Sequence, residues 1–282
     1  MLTSSQHDLS IPDLFRGDLQ LTSPPNIYFE LQKTSLDPTK SLTDVAFIIE
    51  KDPSLAIRVL KIVNSAFYGF PSKITSIDRA INLIGVKELQ SIILSTIVID
   101  KFSNLPDDLI SMHDFWARSL TCALIAQKCD QLLGGEFSDS VFLCGILHNI
   151  GQLIFFRRIP ELARETSLSL QAYENPSDID EINIEQHIIG FDHYQTGAAL
   201  SKLWNLPAIF TESIRLHAYP DNTDSYHKIS SIIRLADCCS KIETHSYNIN
   251  PNTISISSSN LETMIQEAHE EFEEIFKIFY PG

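Results

Sequence analysis

The sequence contains few glycines, 10 in 282 residues, whereas average usage is about 7%. Loops that bind phosphate through the backbone need clustered glycines at fixed spacing. The only adjacent pair is Gly134-Gly135, and neither GxGxxG nor GxxxxGK[ST] occurs. The sequence therefore excludes a dinucleotide-binding fold with a glycine-rich loop, and it excludes a P-loop nucleotide hydrolase.

Positive charge is also scarce, because 21 lysines and arginines stand against 36 acidic residues and give a net charge of −15 with histidines neutral. Nucleic-acid binding depends largely on basic side chains that neutralise phosphates. Anionic membrane surfaces attract the same side chains. The composition therefore disfavours nucleic acid and membrane surfaces as partners.

Long apolar runs and paired cysteines are missing as well. No run approaches the roughly 18 apolar residues that a membrane span needs, and the N-terminus has no basic start followed by an apolar stretch. An odd number of scattered cysteines without a CxxC pair is typical of reduced thiols. The five are Cys122, Cys129, Cys144, Cys238 and Cys239. We predict a cytoplasmic protein.

Hydrophobic residues, with alanine and cysteine counted among them, make up 44% of the chain. From about residue 26 they recur at helical spacing. Asp52 is a predicted N-cap followed by proline at the first helical position. Leu55, Val59 and Ile62 then fall on one face. The only clean two-residue alternation, at 253–257, is short. The predicted fold class is all-α.

The organisation along the chain is predicted from changes in composition. Residues 1–23 are mixed and polar, and Pro24-Pro25 marks the entry to regular structure. A Ser/Asn/Pro-rich linker covers residues 246–260. The predicted parts are an N-terminal extension at 1–23, a domain at 24–245 with lobes 24–105 and 106–245, and a linker with a C-terminal helix at 246–282.

The C-terminal helix is amphipathic, since Leu261, Ile265, Ala268, Phe272 and Ile275 alternate four and three apart among glutamates. We expect this stripe to fold back on its own domain. A homodimer or partner seam through the same stripe is the alternative.

Chemistry, if present, lies in the second half, where His148, His193 and His217 have helical surroundings and Asp237 follows. Imidazoles and a carboxylate from several helices can hold a divalent metal, which polarises phosphoryl groups and supplies hydroxide. The spacing has no local signature, and a buried histidine is more often a hydrogen-bonded core residue. The pattern alone leaves both interpretations open.

Several ordered segments between about residues 24 and 240 resemble the HDOD (HD-related output domain) family, a branch of the HD superfamily of metal-dependent phosphohydrolases. They are 52–56 (DPSLA), 64–69 (NSAFYG), 76–85 (SIDRAINLIG), 147–151 (LHNIG), 204–207 (WNLP), Glu185 and Asp192-His193. The resemblance implies a two-lobed helical domain of bacterial signalling with an HD-like bundle as its second lobe. It also implies a domain that usually does not hydrolyse.

The resemblance implies a degenerate metal site. Arg118 stands where the family has its first ligand histidine, and His148-Asn149 replaces the paired His-Asp. His193 or His217 matches the later ligand histidines, and Asp237 matches the closing aspartate. Arginine offers only donors, and a catalytic metal needs its ligand set and an open position. We therefore expect no catalytic residue, metal or other cofactor.

Arg118 suggests a sharper hypothesis. Its guanidinium is expected to replace the metal in the pocket by pairing with Asp237 or Glu185. The alternative is that Arg118 points to solvent.

Four other residues are candidates for contacts between the lobes. Asn64 and Ser65 end a helix, where the alternative is a turn closed by side-chain-to-backbone hydrogen bonds. Trp116 and Trp204 are predicted anchors in the core or at the lobe interface, because large aromatics dominate packing.

The sequence therefore predicts a non-catalytic bacterial signalling or scaffolding module that binds a signalling protein or a small ligand. Two alternatives stay open. One is a metal-dependent phosphohydrolase acting on a nucleotide or phosphoester through His148, His193, His217 and Asp237. The other is an indirect regulator that contacts nucleic acid.

Overall fold

The computed structural model describes residues 9–23, 25–103, 105, 110–174, 176–220, 223–241, 254 and 256–281. These residues form helices and contain no strand, which confirms the all-α prediction. The helices are α1 (Ile11–Phe15), α2 (Leu19–Thr22), α3 (Asn26–Leu36), α4 (Leu42–Glu50), α5 (Pro53–Val63), α6 (Ile77–Ile84), α7 (Val86–Phe102), α8 (Met112–Leu132), α9 (Val141–Leu147), α10 (Ile150–Arg158), α11 (Pro160–Leu170), α12 (Asp178–Ile188), α13 (His193–Leu203), α14 (Ala208–Leu216), α15 (His227–Ser240) and α16 (Ser258–Phe279).

Local capping explains where the first-half helices begin. The Asp52 carboxylate accepts hydrogen bonds from the backbone N–H groups of Ser54, at 3.0 Å, and Leu55, at 3.1 Å. Ser76 caps α6 in the same way through the N–H of Arg79, at 3.3 Å. Gly85 ends α6 and precedes α7 with a φ of 83°, a conformation that glycine adopts without steric cost. The sharp turn between α6 and α7 therefore has a local cause.

Two large hydrophobic clusters form most of the core, and a third contains only Ile182, Tyr194 and Ala218. The first lies among α3 to α7 and includes Leu31, Val59 and Leu89. The second surrounds α8 and contains most of the large buried side chains of the second half. Helix α7 belongs to both, because Leu89 packs in the first cluster while Val98 packs in the second. The two halves are therefore joined by a shared helix.

Regular structure begins earlier than the sequence analysis predicts. Helices α1 and α2 precede Pro24, and Leu14 and Leu21 are buried. The Nε of Arg157 donates to Asp18 at 2.6 Å, and the Trp204 indole N–H donates to the carbonyl of Leu21 at 2.9 Å. These helices are too short to show a repeating apolar face, so the composition of this segment gives no helical signal.

In the second half, α10 and α13 cross closely at two glycines. A side chain at Gly151 would collide with the backbone carbonyl of His193, and the Gly197 N–H lies within 3 Å of the same position. His148 and Asn149 separate α9 from α10 immediately before this crossing. The close approach therefore brings the end of α9 next to the start of α13.

Helix α16 folds back on the chain, and its apolar face is buried against α8 and α5. Lys128 of α8 pairs with Glu271 at 2.8 Å, and the N–H of Ala66 donates to Glu274 at 3.1 Å. A homodimer through this face would have to displace these contacts. Most of the predicted linker at 246–260, and residues 106–109 at the start of the predicted second lobe, lie outside the described residues.

Among the described residues no single helix is long and apolar enough to cross a membrane. Helices α6 and α7 reach the required length and composition only when taken together, and they are bent by 115° at their junction.

We predict that Gly151→Ala lowers the free energy of unfolding by about 3 kcal/mol, because the added methyl group meets rigid backbone rather than a side chain that can rotate away. The control is Gly134→Ala, where the added methyl group has open space and only the positive φ is strained, at about 1–2 kcal/mol. Urea unfolding measures both. Equal losses in the two variants would contradict the proposed crossing.

Candidate functional site

Three of the predicted residues meet in the second half of the molecule. His148 follows α9, His217 follows α14 and Asp237 lies on α15. All three side chains are buried, and their possible ligand atoms lie within 4.8 Å of one another. The fold therefore assembles residues that are up to 89 positions apart in the chain.

The hydrogen bonds of His148 occupy both of its ring nitrogens. Nδ1 lies 2.6 Å from the carbonyl oxygen of Gly145, and Nε2 lies 3.2 Å from Oδ1 of Asp237. A carbonyl oxygen only accepts, so Nδ1 donates to Gly145, and Nε2 is the ring nitrogen that faces Asp237.

Asp237 is held ionised by a lysine one helical turn further along α15. The ammonium of Lys241 lies 2.7 Å from Oδ2 of Asp237 and 2.9 Å from Asp178 of α12. Burial would raise the pKa of Asp237, but the Lys241 charge and the His148 hydrogen bond outweigh it and hold that pKa well below its usual range. Both carboxylate oxygens of Asp237 therefore have partners within the chain.

His217 stays neutral and has one free nitrogen. Its Nδ1 donates to the carbonyl of Ile214 at 3.0 Å, so Nε2 carries the lone pair, and Nε2 has no partner among the described residues. Burial and the nearby His148 lower the pKa of His217 to about 3. The Nε2 of His217 is therefore able to accept a hydrogen bond or a ligand.

His193 and Glu185 form a separate ion pair. The Nδ1 of His193 lies 2.8 Å from a Glu185 oxygen that also accepts the His193 backbone N–H. Burial opposes the charged imidazole, but the carboxylates of Glu185 and Glu181 outweigh it and raise the pKa of His193 to about 9. His193, Glu185 and Glu181 thus form a second group of possible metal ligands, separate from His148, His217 and Asp237.

Aromatic rings connect the two groups. The His193 and Tyr194 ring centroids are 3.9 Å apart, those of Tyr194 and His217 are 4.7 Å apart, and those of His217 and His148 are 5.3 Å apart. The predicted histidines therefore lie along one buried row rather than around one point.

The prediction that Arg118 lies in the pocket is wrong. Its side chain is exposed on α8, and within the described part of the chain its charge acts on Asp114, four residues earlier. Cys122, also on α8, lies close enough to the site to interact with it, since burial and the charge of Asp237 raise the pKa of its thiol. Sequence position identified the correct helix but not the rotation that turns residue 118 to solvent.

Lys241, which no motif indicated, takes the role expected of Arg118. The available signal was its position four residues after Asp237 on one helix, the spacing at which opposite charges meet. Asn149 is buried beside His148, and its Oδ1 has no partner among the described residues. It lies at the break between α9 and α10 without capping α10 through its side chain.

Asn64 and Ser65 close a turn within the first half. The Asn64 amide donates to the carbonyl of Ile74 at 2.8 Å and accepts the Ile74 N–H at 2.7 Å, while the Ser65 hydroxyl donates to Ile62 at 2.6 Å. This is the turn considered as the alternative, and the contact with the second half is made nearby by Phe67, whose ring is 5.5 Å from that of Phe142.

The two tryptophans are both buried but have different surroundings. Trp116 packs edge-on against Phe115 with ring centroids 5.1 Å apart. Trp204 binds the Leu21 carbonyl, and the ammonium of Lys101 lies 5.1 Å from its ring. Trp204 therefore joins the N-terminal segment and α7 to the second half.

Comparison with known proteins identifies the family. The family model described as HDOD domain matches residues 21–220, and the chain belongs to the HDOD family. An uncharacterised protein of Treponema pallidum (strain Nichols) is 27% identical over 217 residues, which are 76% of this chain and 40% of that protein. The chain thus spans about two fifths of that relative.

Solved structures show the same fold. A "Putative phosphohydrolase" from Shewanella amazonensis SB2B has a TM-score of 0.72 at 22% identity, with 92% of this chain and 94% of that chain covered. A "Putative signal transduction protein" from Marinobacter aquaeolei VT8 has a TM-score of 0.67 at 18% identity, with 91% and 58% covered. At these identities the likeness establishes the fold.

The ligand set that the resemblance implies for an HD phosphohydrolase is incomplete here. Arg118 is turned away and Asn149 offers no charge, and Lys241 already places a positive charge on Asp237. His148, His217 and Asp237 remain together as possible ligands.

We predict that Lys241→Met lowers the free energy of unfolding by about 2 kcal/mol, because it leaves the buried Asp237 carboxylate without its cation. The value lies below that of a fully buried pair, because the Lys241 side chain is partly exposed. Urea unfolding measures the loss. The control is Lys228→Met, which breaks an exposed pair with Glu136 and is expected to have a small effect.

Adding Asp237→Asn to Lys241→Met is expected to recover part of the loss, because the buried charge is removed together with its partner. Additive losses in the double variant would contradict the pairing.

We predict that stability falls as the pH rises from about 6.5, the unfolded pKa of histidine, through about 9, the folded pKa of His193. The folded state binds this proton more tightly than the unfolded state, so the stabilisation is complete below 6.5 and is lost on the alkaline side, on the order of 1–3 kcal/mol. Unfolding by urea across this range measures the slope.

His193→Gln is expected to remove this alkaline slope. His113→Gln is the control, because His113 is exposed and lies outside the buried row. Parallel pH profiles for wild type and His193→Gln would rule out the assignment.

Proposed function

We propose that the protein is a non-catalytic signalling module that acts by binding a protein partner or a small ligand. The observation that carries the proposal is the ammonium of Lys241 on Asp237, at 2.7 Å. A lysine attached to the chain supplies the positive charge that a metal supplies in a hydrolase, but it has no open coordination position for water or phosphate.

The state of the histidines supports the same proposal. His148 bonds to Gly145 and Asp237, and His193 is held in an ion pair with Glu185. A buried group with balanced charges is expected to hold helices in one arrangement. Helices α9, α12 and α15 meet at this group.

Family membership and the printed description of the Marinobacter aquaeolei structure favour signalling as the process. The net charge of −15 favours a protein or small molecule over nucleic acid as the partner. A basic face on the partner protein would be complementary to this charge.

The alternative function is phosphoester hydrolysis, and one experiment separates the two. The purified chain is incubated with Mn²⁺, Ni²⁺ or Zn²⁺, dialysed, and analysed for metal content and for hydrolysis of bis(4-nitrophenyl) phosphate. We expect metal well below one ion per chain and no hydrolysis above the buffer rate, because the ligand set is incomplete.

His148→Ala and His113→Ala serve as the matched variants, one inside the buried group and one on the surface. One metal ion per chain, with hydrolysis that His148→Ala abolishes and His113→Ala retains, would establish the enzyme and overturn the module.

A further inference from the structure

A cleft separate from the histidines lies between the two halves of the molecule. It has a volume of about 650 Å³ and is lined by α3, α4 and the start of α7 on one side, and by residues 136–140 and the start of α14 on the other. Ligand pockets usually measure about 300–1,000 Å³ and often lie between domains or lobes. We call it the interlobe cleft.

The walls of the interlobe cleft are mostly apolar. Val45 and Phe210 are buried at its inner surface, on opposite sides. Leu36 and Leu42 line it as well, yet they are 76% and 44% exposed. Exposed leucines beside an apolar cavity indicate a surface on which the binding of a ligand or partner is favourable, because it removes apolar area from water.

Two buried polar side chains line the same cavity. Tyr28 is 4% exposed, and its hydroxyl makes no hydrogen bond with any described residue. Gln90 is 9% exposed, and its amide Nε2 donates to the Ser35 hydroxyl at 3.0 Å. The side-chain carbonyl of Gln90 has no partner within the described ranges. A donor and an acceptor are therefore available to a ligand inside the cleft.

Two lysines and two acidic side chains line the opening of the cleft. Lys87 lies 3.8 Å from Asp139, and Glu136 pairs with Lys228 at 2.6 Å, so both acidic side chains have a cation beside them. Lys40 is exposed and makes no ion pair with a described residue, while its charge also acts on the nearby Asp37 and Asp44. Lys40 is therefore the side chain placed to bind an anionic group.

We propose that the interlobe cleft binds a small amphipathic organic acid. The apolar body of the ligand lies between Val45 and Phe210, its carboxylate is recognised by Lys40, and the hydroxyl of Tyr28 donates to a polar atom within it. Because the ligand touches both halves, its binding is expected to stabilise the folded molecule. This inference is independent of the Lys241–Asp237 pair and goes beyond the proposed function.

Isothermal titration of the full chain with decanoate tests the proposal, with decan-1-ol as the uncharged probe of equal length. We expect decanoate to bind at least about tenfold more tightly than decan-1-ol, because only the acid meets Lys40. Lys40→Glu is expected to weaken decanoate binding by about tenfold, whereas Lys33→Glu, the same charge change on an exposed residue that does not line the cleft, leaves it unchanged.

Ile209→Trp fills the cleft from the start of α14 and is expected to abolish binding, and Leu168→Trp adds the same side chain to an exposed position elsewhere. Melting curves establish that each variant is folded.

The proposal is overturned if decanoate does not bind, if Ile209→Trp binds it as wild type does, or if Lys40→Glu and Lys33→Glu behave alike. A larger occupant, such as a peptide, would give the first of these results. None of these results depends on metal content, so a failure here leaves the proposed function standing.

Discussion

A carboxylate buried in the helical core constrains the second half of the molecule. Asp237 is fully buried and ionised, and a charge in such surroundings is tolerated only where opposite charge and hydrogen bonds compensate the lost hydration. The compensation comes from His148 after α9 and Lys241 after α15, and Lys241 also reaches Asp178 at the start of α12. Three helices must therefore keep their relative positions for the charge to stay in balance.

Under the proposed function, this balance takes the place of the metal in a frame that resembles a hydrolase. A divalent ion and a lysine both neutralise a carboxylate, but the ion leaves coordination positions for substrate while the ammonium only donates hydrogen bonds. The helices are then held by the chain itself, and the row of rings from His148 to His193 becomes part of the packing. Under the proposed function, such a site holds the helices together, and the partner or ligand binds elsewhere on the molecule.

The sequence predicted the helical class and much of the site, because both follow from signals that are local or shared with the family. Capping at Asp52 and the LHNIG segment are examples. Two features escaped prediction for physical reasons. The orientation of Arg118 depends on how α8 is rotated against its neighbours, which spacing does not report. The pairing of Lys241 with Asp178, 63 residues away, depends on tertiary contact. The first two helices were missed because each is shorter than two turns.

Helix α7 has a consequence for how the molecule folds and how it can be divided. One of its faces packs in the first hydrophobic cluster and the other packs in the second. Cutting the chain after α7 would leave side chains such as Val98 facing water, and cutting before it would remove one wall of each cluster. The two lobes are therefore not independent folding units. Because they share α7, they are expected to unfold together in one transition.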